Sequence, residues 1–335
     1  MTQDASALQG TMSKEQTPSW FSQCRDYYPF DPQSYRLKSG HMMSFVDLDP
    51  SESPNKEEHT NPFVIPTVMV HGNPTWSLYY RGLLTAISEA GGRAVALDHI
   101  GCGLSDKPDD KHYHYTLTQR VSDLSELLEA RGLGSSPINL VVHDWGGMIG
   151  MAYAVQNPTR VKRLVVLNTA AFRMPREKGL PFTLWLGRNT KLGQFLIQGL
   201  NAFSGLATSW ACMKPLPKGL AKAYTAPYSS WSTRIATHRF VKDIPLTEGD
   251  PAYALVAETE ERLSLFSETP MLIGWGLKDF VFDHHFLNVW RERFPKAELH
   301  IYPQSGHYIL EDESEDLIPK IVAFLSRKSP SPKRS

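Results

Sequence analysis

The chain has 335 residues, enough for one large core or a core with an insertion. Its 35 Lys and Arg side chains balance 35 Asp and Glu, and a formal charge of zero gives no sign of a nucleic-acid or acidic-membrane partner. Hydrophobic residues at 41 % and charged residues at 21 % are ordinary for a globular chain, and the apolar runs are too short to span a bilayer.

Residues 1–18 are polar and aperiodic and read as a disordered leader, and 328–335 as a flexible tail. "MSFVDLD" and "PTVMVHG" predict an early hairpin across the polar loop 49–62. "WSLYYRGLLTAISEAG" follows as a helix and "RAVALDH" as a buried strand. Leu117, Val121, Leu124 and Leu128 then mark one helix face. "INLVVHD" predicts a strand, with a helix from about Gly146 and the strand "VKRLVVLNTA" after it. Past a long interruption come the strand "MLIGWG", the helix "HHFLNVWRERF", the strand "AELHIYP" and a last helix through Leu317, Ile321 and Leu325. Repeated βα units with near-continuously apolar strands predict an α/β fold, a mostly parallel sheet with helices on both faces. The interruption, 172–266, lacks strand runs and is rich in Pro, Trp, Phe and Leu. It reads as a helical cap inserted after the sixth strand of the sheet, with 19–171 and 267–327 as the core.

The segment "VVHDWGGMIG" has the strand, corner and helix of a nucleophile elbow, with Asp144 in the nucleophile slot. Gly146 supplies one of the two small residues of that motif, while Val142 stands where the other belongs. An aspartate here is also a good helix N-cap. His307 in "QSGHYILED" sits at the base position of the nucleophile–acid–His chain order, and Asp279 in "WGLKDFVFD" is the candidate acid. Asp283 is its rival, equally suited to capping the next helix. "VMVHGNPTW" ends a strand at a turn whose backbone N–H groups face an anion in elbow enzymes. Asn73 and Trp145 are the two donors expected there, each with a side-chain N–H as well. A carboxylate nucleophile suits displacement at a carbon bearing a good leaving group, so alkyl halides, epoxides and strained lactones are the candidate substrates. Cap aromatics Phe182, Trp185, Phe195, Phe203, Trp210, Tyr224, Tyr228 and Trp231 are candidates to line slots for alkyl chains. Cys24, Cys102 and Cys212 lack CxxC spacing and argue for reduced thiols and a cytoplasmic setting. His112 with His114, and His284 with His285, lack matching ligands, so no metal or other cofactor is expected.

Together "HGNPTWSLYYR", "LDHIGCGLSDKP", "VVHDWGGMIG" and "SGHYILED" resemble the haloalkane dehalogenase branch of the α/β-hydrolase fold over about residues 28–325. The resemblance implies Asp144 as nucleophile, His307 as base, Asp279 as acid, and Asn73 with Trp145 as the leaving-group clamp. "NTAAF", "NAFSG", "AYTAPY", "KDIPL" and "WGLKDFVFDHHFL" narrow it to the β-lactone decarboxylases of bacterial long-chain olefin biosynthesis, the cis-3-alkyl-4-alkyloxetan-2-one decarboxylases. That family implies a lipid-like small-molecule substrate, and as partners the β-lactone synthetase and other olefin-pathway enzymes. Competing readings are a haloalkane dehalogenase, an epoxide hydrolase using Tyr224 and Tyr228, and a catalytically inactive ligand receptor.

Overall fold

The protein's structure, a computed structural model, describes residues 9–12, 17–50 and 63–327. The expected tail and most of the loop 49–62 lie outside the described residues, as do 1–8 and 13–16 of the expected leader. Within that leader Gln9–Thr11 forms a strand, β1, on the edge of the sheet.

The other strands are β2 (Gln33–Arg36), β3 (Met42–Leu48), β4 (Thr67–Val70), β5 (Ala94–Leu97), β6 (Ile138–Asp144), β7 (Val161–Thr169), β8 (Met271–Gly276) and β9 (Glu298–Tyr302). All nine join one sheet in the order β1-β2-β3-β5-β4-β6-β7-β8-β9. From β5 to β9 every pairing is parallel, and β1, β2 and β3 add antiparallel at one edge. The expected early hairpin is therefore corrected: β3 pairs with β5, and β4 lies between β5 and β6. All four residues of β4 are buried, and a strand apolar on both faces is covered only in the sheet interior.

Strand residues alternate between two cores. Val68, Val70, Leu140, Val142, Leu164 and Val166 point to one, and Met69, Val141, Val165 and Leu167 to the other. On the first face lie α2 (Leu117–Ala130), α3 (Trp145–Gln156) and α10 (His284–Arg293); on the second, α1 (Arg81–Glu89) and α11 (Ser314–Leu325). Thr116 caps α2 by accepting from the Gln119 N–H, and the expected face of Leu117, Val121, Leu124 and Leu128 is buried.

The insertion follows β7, the seventh strand rather than the sixth; the short polar strands β1 and β2 carry little pattern. It consists of α4 (Phe182–Asn189), α5 (Lys191–Gln194) running into a π-helical turn (Phe195–Gly199), α6 (Ala202–Trp210), α7 (Lys218–Thr225) and α8 (Ile235–Lys242). Next comes α9 (Tyr253–Arg262), which packs beside α3, with Val256, Leu263 and Phe266 in the same core as the sheet.

Candidate active site

Strand β6 is buried along its whole length and passes into α3 at Asp144, whose φ of 52° and ψ of −128° are unusual for a residue with a Cβ. Such a backbone costs about 1–3 kcal/mol and persists only where surrounding contacts enforce it. The side chain makes no capping bond to α3, which removes the N-cap explanation. Instead Oδ1 accepts the backbone N–H of Asn73, at the turn after β4, at 2.6 Å. The corner is tight: a methyl on Gly146 would come within 2.6 Å of the Val70 carbonyl carbon. Val142, large where the motif has a small residue, is accommodated from the helix side. A methyl on Gly150 would lie 2.7 Å from Val142 Cγ1, so α3 supplies the missing space.

His307 reaches the same point from the loop after β9. Its Nε2 lies 3.4 Å from Asp144 Oδ2, and its Nδ1 donates to Asp279 Oδ2 at 2.7 Å. Asp279 follows β8, and its Oδ1 accepts the N–H groups of Val281 (2.8 Å) and Phe282 (3.0 Å). Asp283 instead caps α10 by accepting from the His285 N–H, and pairs with Lys178 at 2.7 Å. Ligand atoms of Asp283, His284 and His285 lie within 4.8 Å of one another, but the Lys178 ammonium already takes up the carboxylate. His112 bonds Asp109 instead.

Above Asp144 lies a cavity of about 200 Å³ between the strand ends and α4, α6 and α8. Asp144, Asn73, Trp145 and His307 line it on one side; its other walls are mainly apolar, with Met148, Phe172, Phe203 and Trp210 among them. Trp145 packs against Phe240 with ring centroids 5.4 Å apart. The Asn73 side chain is already partly engaged: Nδ2 donates to the Thr237 carbonyl of α8 at 3.0 Å, and Oδ1 is buried with no partner among the described residues. Of the eight aromatics considered from sequence, only Phe203 and Trp210 line the cavity. Tyr224 is buried elsewhere, bonded to Glu311, and Tyr228 is buried outside the cavity lining. Phe182, Trp185, Phe195 and Trp231 are exposed. Helical spacing alone does not say which face of a cap helix turns inward; on α6 it is Phe203, Leu206, Ala207 and Trp210.

Residues 66–314 match the family model of the alpha/beta hydrolase fold. The chain is 52 % identical over 262 residues to the cis-3-alkyl-4-alkyloxetan-2-one decarboxylase of Shewanella oneidensis, covering 78 % of this chain and 82 % of that protein. It is 42 % identical over 305 residues to the protein of the same name from Xanthomonas campestris pv. campestris, covering 90 % and 97 %. The chain belongs to the cis-3-alkyl-4-alkyloxetan-2-one decarboxylase family of the α/β hydrolases. In overall shape it is similar to the haloalkane dehalogenase DatA from Agrobacterium tumefaciens C58, with a TM-score of 0.74 at 23 % identity over 90 % of this chain and 99 % of that one. At that identity the likeness speaks for the fold.

Within this family member two positioning residues escaped the sequence reading. Asn168, at φ 33°, is the next-to-last residue of β7. Its Nδ2 donates to Asp279 Oδ2 and to the Gly276 carbonyl, both at 3.0 Å, and its Oδ1 accepts the Gly276 N–H at 2.8 Å. It fixes β8 to β7 and orients Asp279; the available signal was a lone amide closing the apolar run "VKRLVVLN". Asp312 accepts the Gly306 N–H at 2.7 Å and the Met213 N–H at 2.9 Å, tying the His307 loop to the cap. From below, His143 Nε2 donates to the His307 carbonyl at 2.8 Å.

The His307 imidazole stands between two carboxylates, Asp144 and Asp279. Burial by itself lowers the His307 pKa, but the Asp279 and Asp144 carboxylates override it and hold the ring up to about 10, protonated at neutral pH. Burial pushes His71 down to about 4 and His143 down to about 3, so both stay neutral beneath it. Burial also pushes all three cysteine thiols up; they are free, buried and unreactive.

Proposed function

We propose that the protein converts cis-3,4-dialkyl β-lactones to cis-alkenes and carbon dioxide, with Asp144 as the covalent nucleophile. The observation that carries this reading is the Asp144 carboxylate itself: Oδ1 is held by the Asn73 N–H, and Oδ2 faces His307 at the edge of an apolar cavity. Two relatives named for this reaction support it, at 52 % and 42 % identity.

In the proposed path Asp144 Oδ2 attacks the ring carbon that bears the lactone oxygen. The new C–O bond forms as the ring C–O bond breaks, with inversion, and the electron pair goes to the freed carboxylate. That carboxylate is the leaving group, met by the Trp145 indole, the remaining Asn73 amide hydrogen and the His307 imidazolium. Anti elimination follows: the bond to the carboxylate carbon breaks, its electrons form the alkene, and Asp144 leaves with its original pair. Inversion followed by anti elimination turns a cis ring into a cis alkene. No water enters, and no proton is gained or lost. Asp279 fixes the ring orientation, and the charged His307 acts electrostatically rather than as a base toward water. Attack at the acyl carbon, giving an anhydride, is the competing first step.

The reading places the enzyme that closes the β-lactone ring immediately upstream, in the cytoplasm, where the three thiols stay reduced. Purified protein and a synthetic cis-dialkyl β-lactone, with products separated by gas chromatography, provide the test. Cis-alkene supports the reading; ¹⁸O from labelled water in a β-hydroxy acid product defeats it. Halide release from bromoalkanes, without alkene from the lactone, establishes the dehalogenase reading in its place.

A further inference from the structure

The neutral charge of the chain hides an uneven distribution. Between Lys178 and Lys242 there are nine Lys and Arg residues and no Asp or Glu, and four of the nine, Lys178, Arg188, Lys214 and Arg239, pair with acids outside the stretch. This stretch is the cap from α4 to α8, and it also carries most of the large apolar side chains that face outward. Phe182 is 71 % exposed, Trp210 53 %, Trp185 46 % and Leu206 43 %, and Phe280 beside them in the core is 43 % exposed. These side chains are not scattered. Phe182 and Trp185 stack with centroids 6.0 Å apart, and the residues between and before them, Pro181, Thr183 and Leu184, line the cavity. Leu206, Trp210 and Phe280 both line the cavity and stand exposed, so the apolar wall runs continuously out through the mouth. Lysines of the same cap stand exposed: Lys191 begins α5, and Lys218 and Lys222 lie one turn apart on α7, while Lys214, after α6, is held by the Asp312 carbonyl and Glu313. Contiguous apolar surface of this kind marks a binding face, and exposed tryptophan on a cap with Lys and Arg but no Asp or Glu suits the boundary of an anionic bilayer.

We propose that the cap docks on an anionic phospholipid surface, with Phe182, Trp185, Leu206, Trp210 and Phe280 dipping into the acyl boundary around the cavity mouth and the lysines against the headgroups. No helix among the described residues is long and apolar enough to cross a membrane, and the attachment is peripheral. The surface itself is independent of the reaction; its purpose rests on the lactone reading. A substrate with two long alkyl chains partitions into lipid, and a mouth seated in the interface takes it up without exposing those chains to water. The exposed apolar rim of a cap rich in Lys and Arg, rather than the net charge of the chain, decides the partner.

The test uses the full chain and sedimented vesicles of phosphatidylcholine with or without phosphatidylglycerol. Wild type is expected to bind the anionic vesicles and to be released by salt. Phe182→Ser with Trp185→Ser, and separately Lys218→Glu with Lys222→Glu, are expected to weaken binding more than about tenfold. Neither pair lines the cavity, so both variants should unfold as wild type does and turn over a short-chain, water-soluble cis-β-lactone at the wild-type rate. Only turnover of a long-chain lactone carried in vesicles should fall. Failure of wild type to bind anionic vesicles overturns the docking, as does undiminished binding by both variants. Failure to decarboxylate the soluble lactone overturns the proposed reaction instead, and the sedimentation result still decides the docking.

Discussion

Gly72→Ala is the sharpest probe of how the carboxylate is seated. Gly72 lies in the turn whose next N–H holds Asp144 Oδ1. A methyl built on Gly72 falls 2.5 Å from the Asp144 carboxyl carbon, with Oδ1 and Cβ closer still. Carbon atoms in contact rest about 3.5–4.0 Å apart, so one partner must retreat by about 1 Å or more. Rotating the Asp144 side chain does not relieve the clash, because its Cβ is also too close. Overpacking of this kind costs about 1–3 kcal/mol. Losing the charge-assisted N–H···Oδ1 bond costs about 1.5–3 kcal/mol more. Displacing a reacting oxygen by about 1 Å lowers kcat on the order of a hundredfold. The expected result is therefore a loss of about 3–5 kcal/mol in urea unfolding together with a hundredfold slower release of alkene, followed by gas chromatography. Gly179→Ala, where a methyl meets nothing within 4 Å and φ is not positive, is the control and should change neither. A Gly72→Ala protein as stable as wild type, with more than about a third of its turnover, would show that the carboxylate does not react from this seat.

Three further outcomes follow from the same site. Asp144→Gly and Asp144→Ala should both abolish turnover, but Gly should be the more stable by about 1–2 kcal/mol, because only Ala retains a Cβ at φ 52°; equal stability refutes the strained corner. Asn168→Ala should cost about 2–5 kcal/mol, since the buried Gly276 N–H and carbonyl lose their side-chain partner, and should lower kcat more than it raises KM through the loosened Asp279; an unchanged kcat removes the positioning role. The His307 pKa is raised from about 6.5 to about 10 by folding, so its contribution to stability is complete below the lower value and is lost as pH rises through the upper one. Denaturation measured across that window should show wild type weakening with pH more steeply than His307→Gln, and parallel slopes refute the paired imidazolium.

Local pattern carries much of this protein. The apolar run ending in His143 and Asp144, the small residues after it, and a histidine after the last strand are covalent neighbours or lie at chain positions that an alternating βα fold brings to one sheet edge. Asp144, Asp279 and His307 were therefore nameable from the sequence, as were the helix face of α2 and the limits of β6. Choices that depend on which surfaces meet were not. The sequence allowed Asp144 to be a helix cap, and only the fold shows its side chain turned away from α3 toward Asn73. It offered Asp279 and Asp283 as alternatives; the distance to His307 and the cap on α10 separate them. It joined β3 to β4 as neighbours, whereas burial on both faces draws β4 into the centre, between β5 and β6. Asn168 reads as an ordinary polar residue until β8 lies beside β7 and presents Gly276 and Asp279 to it. The cap shows the limit most plainly. Its aromatic content is evident from composition, but whether a given ring fills the cavity, packs behind it or faces outward depends on how each helix is rotated about its axis. Contacts with other elements set that rotation, and no residue's immediate neighbours in the chain encode it.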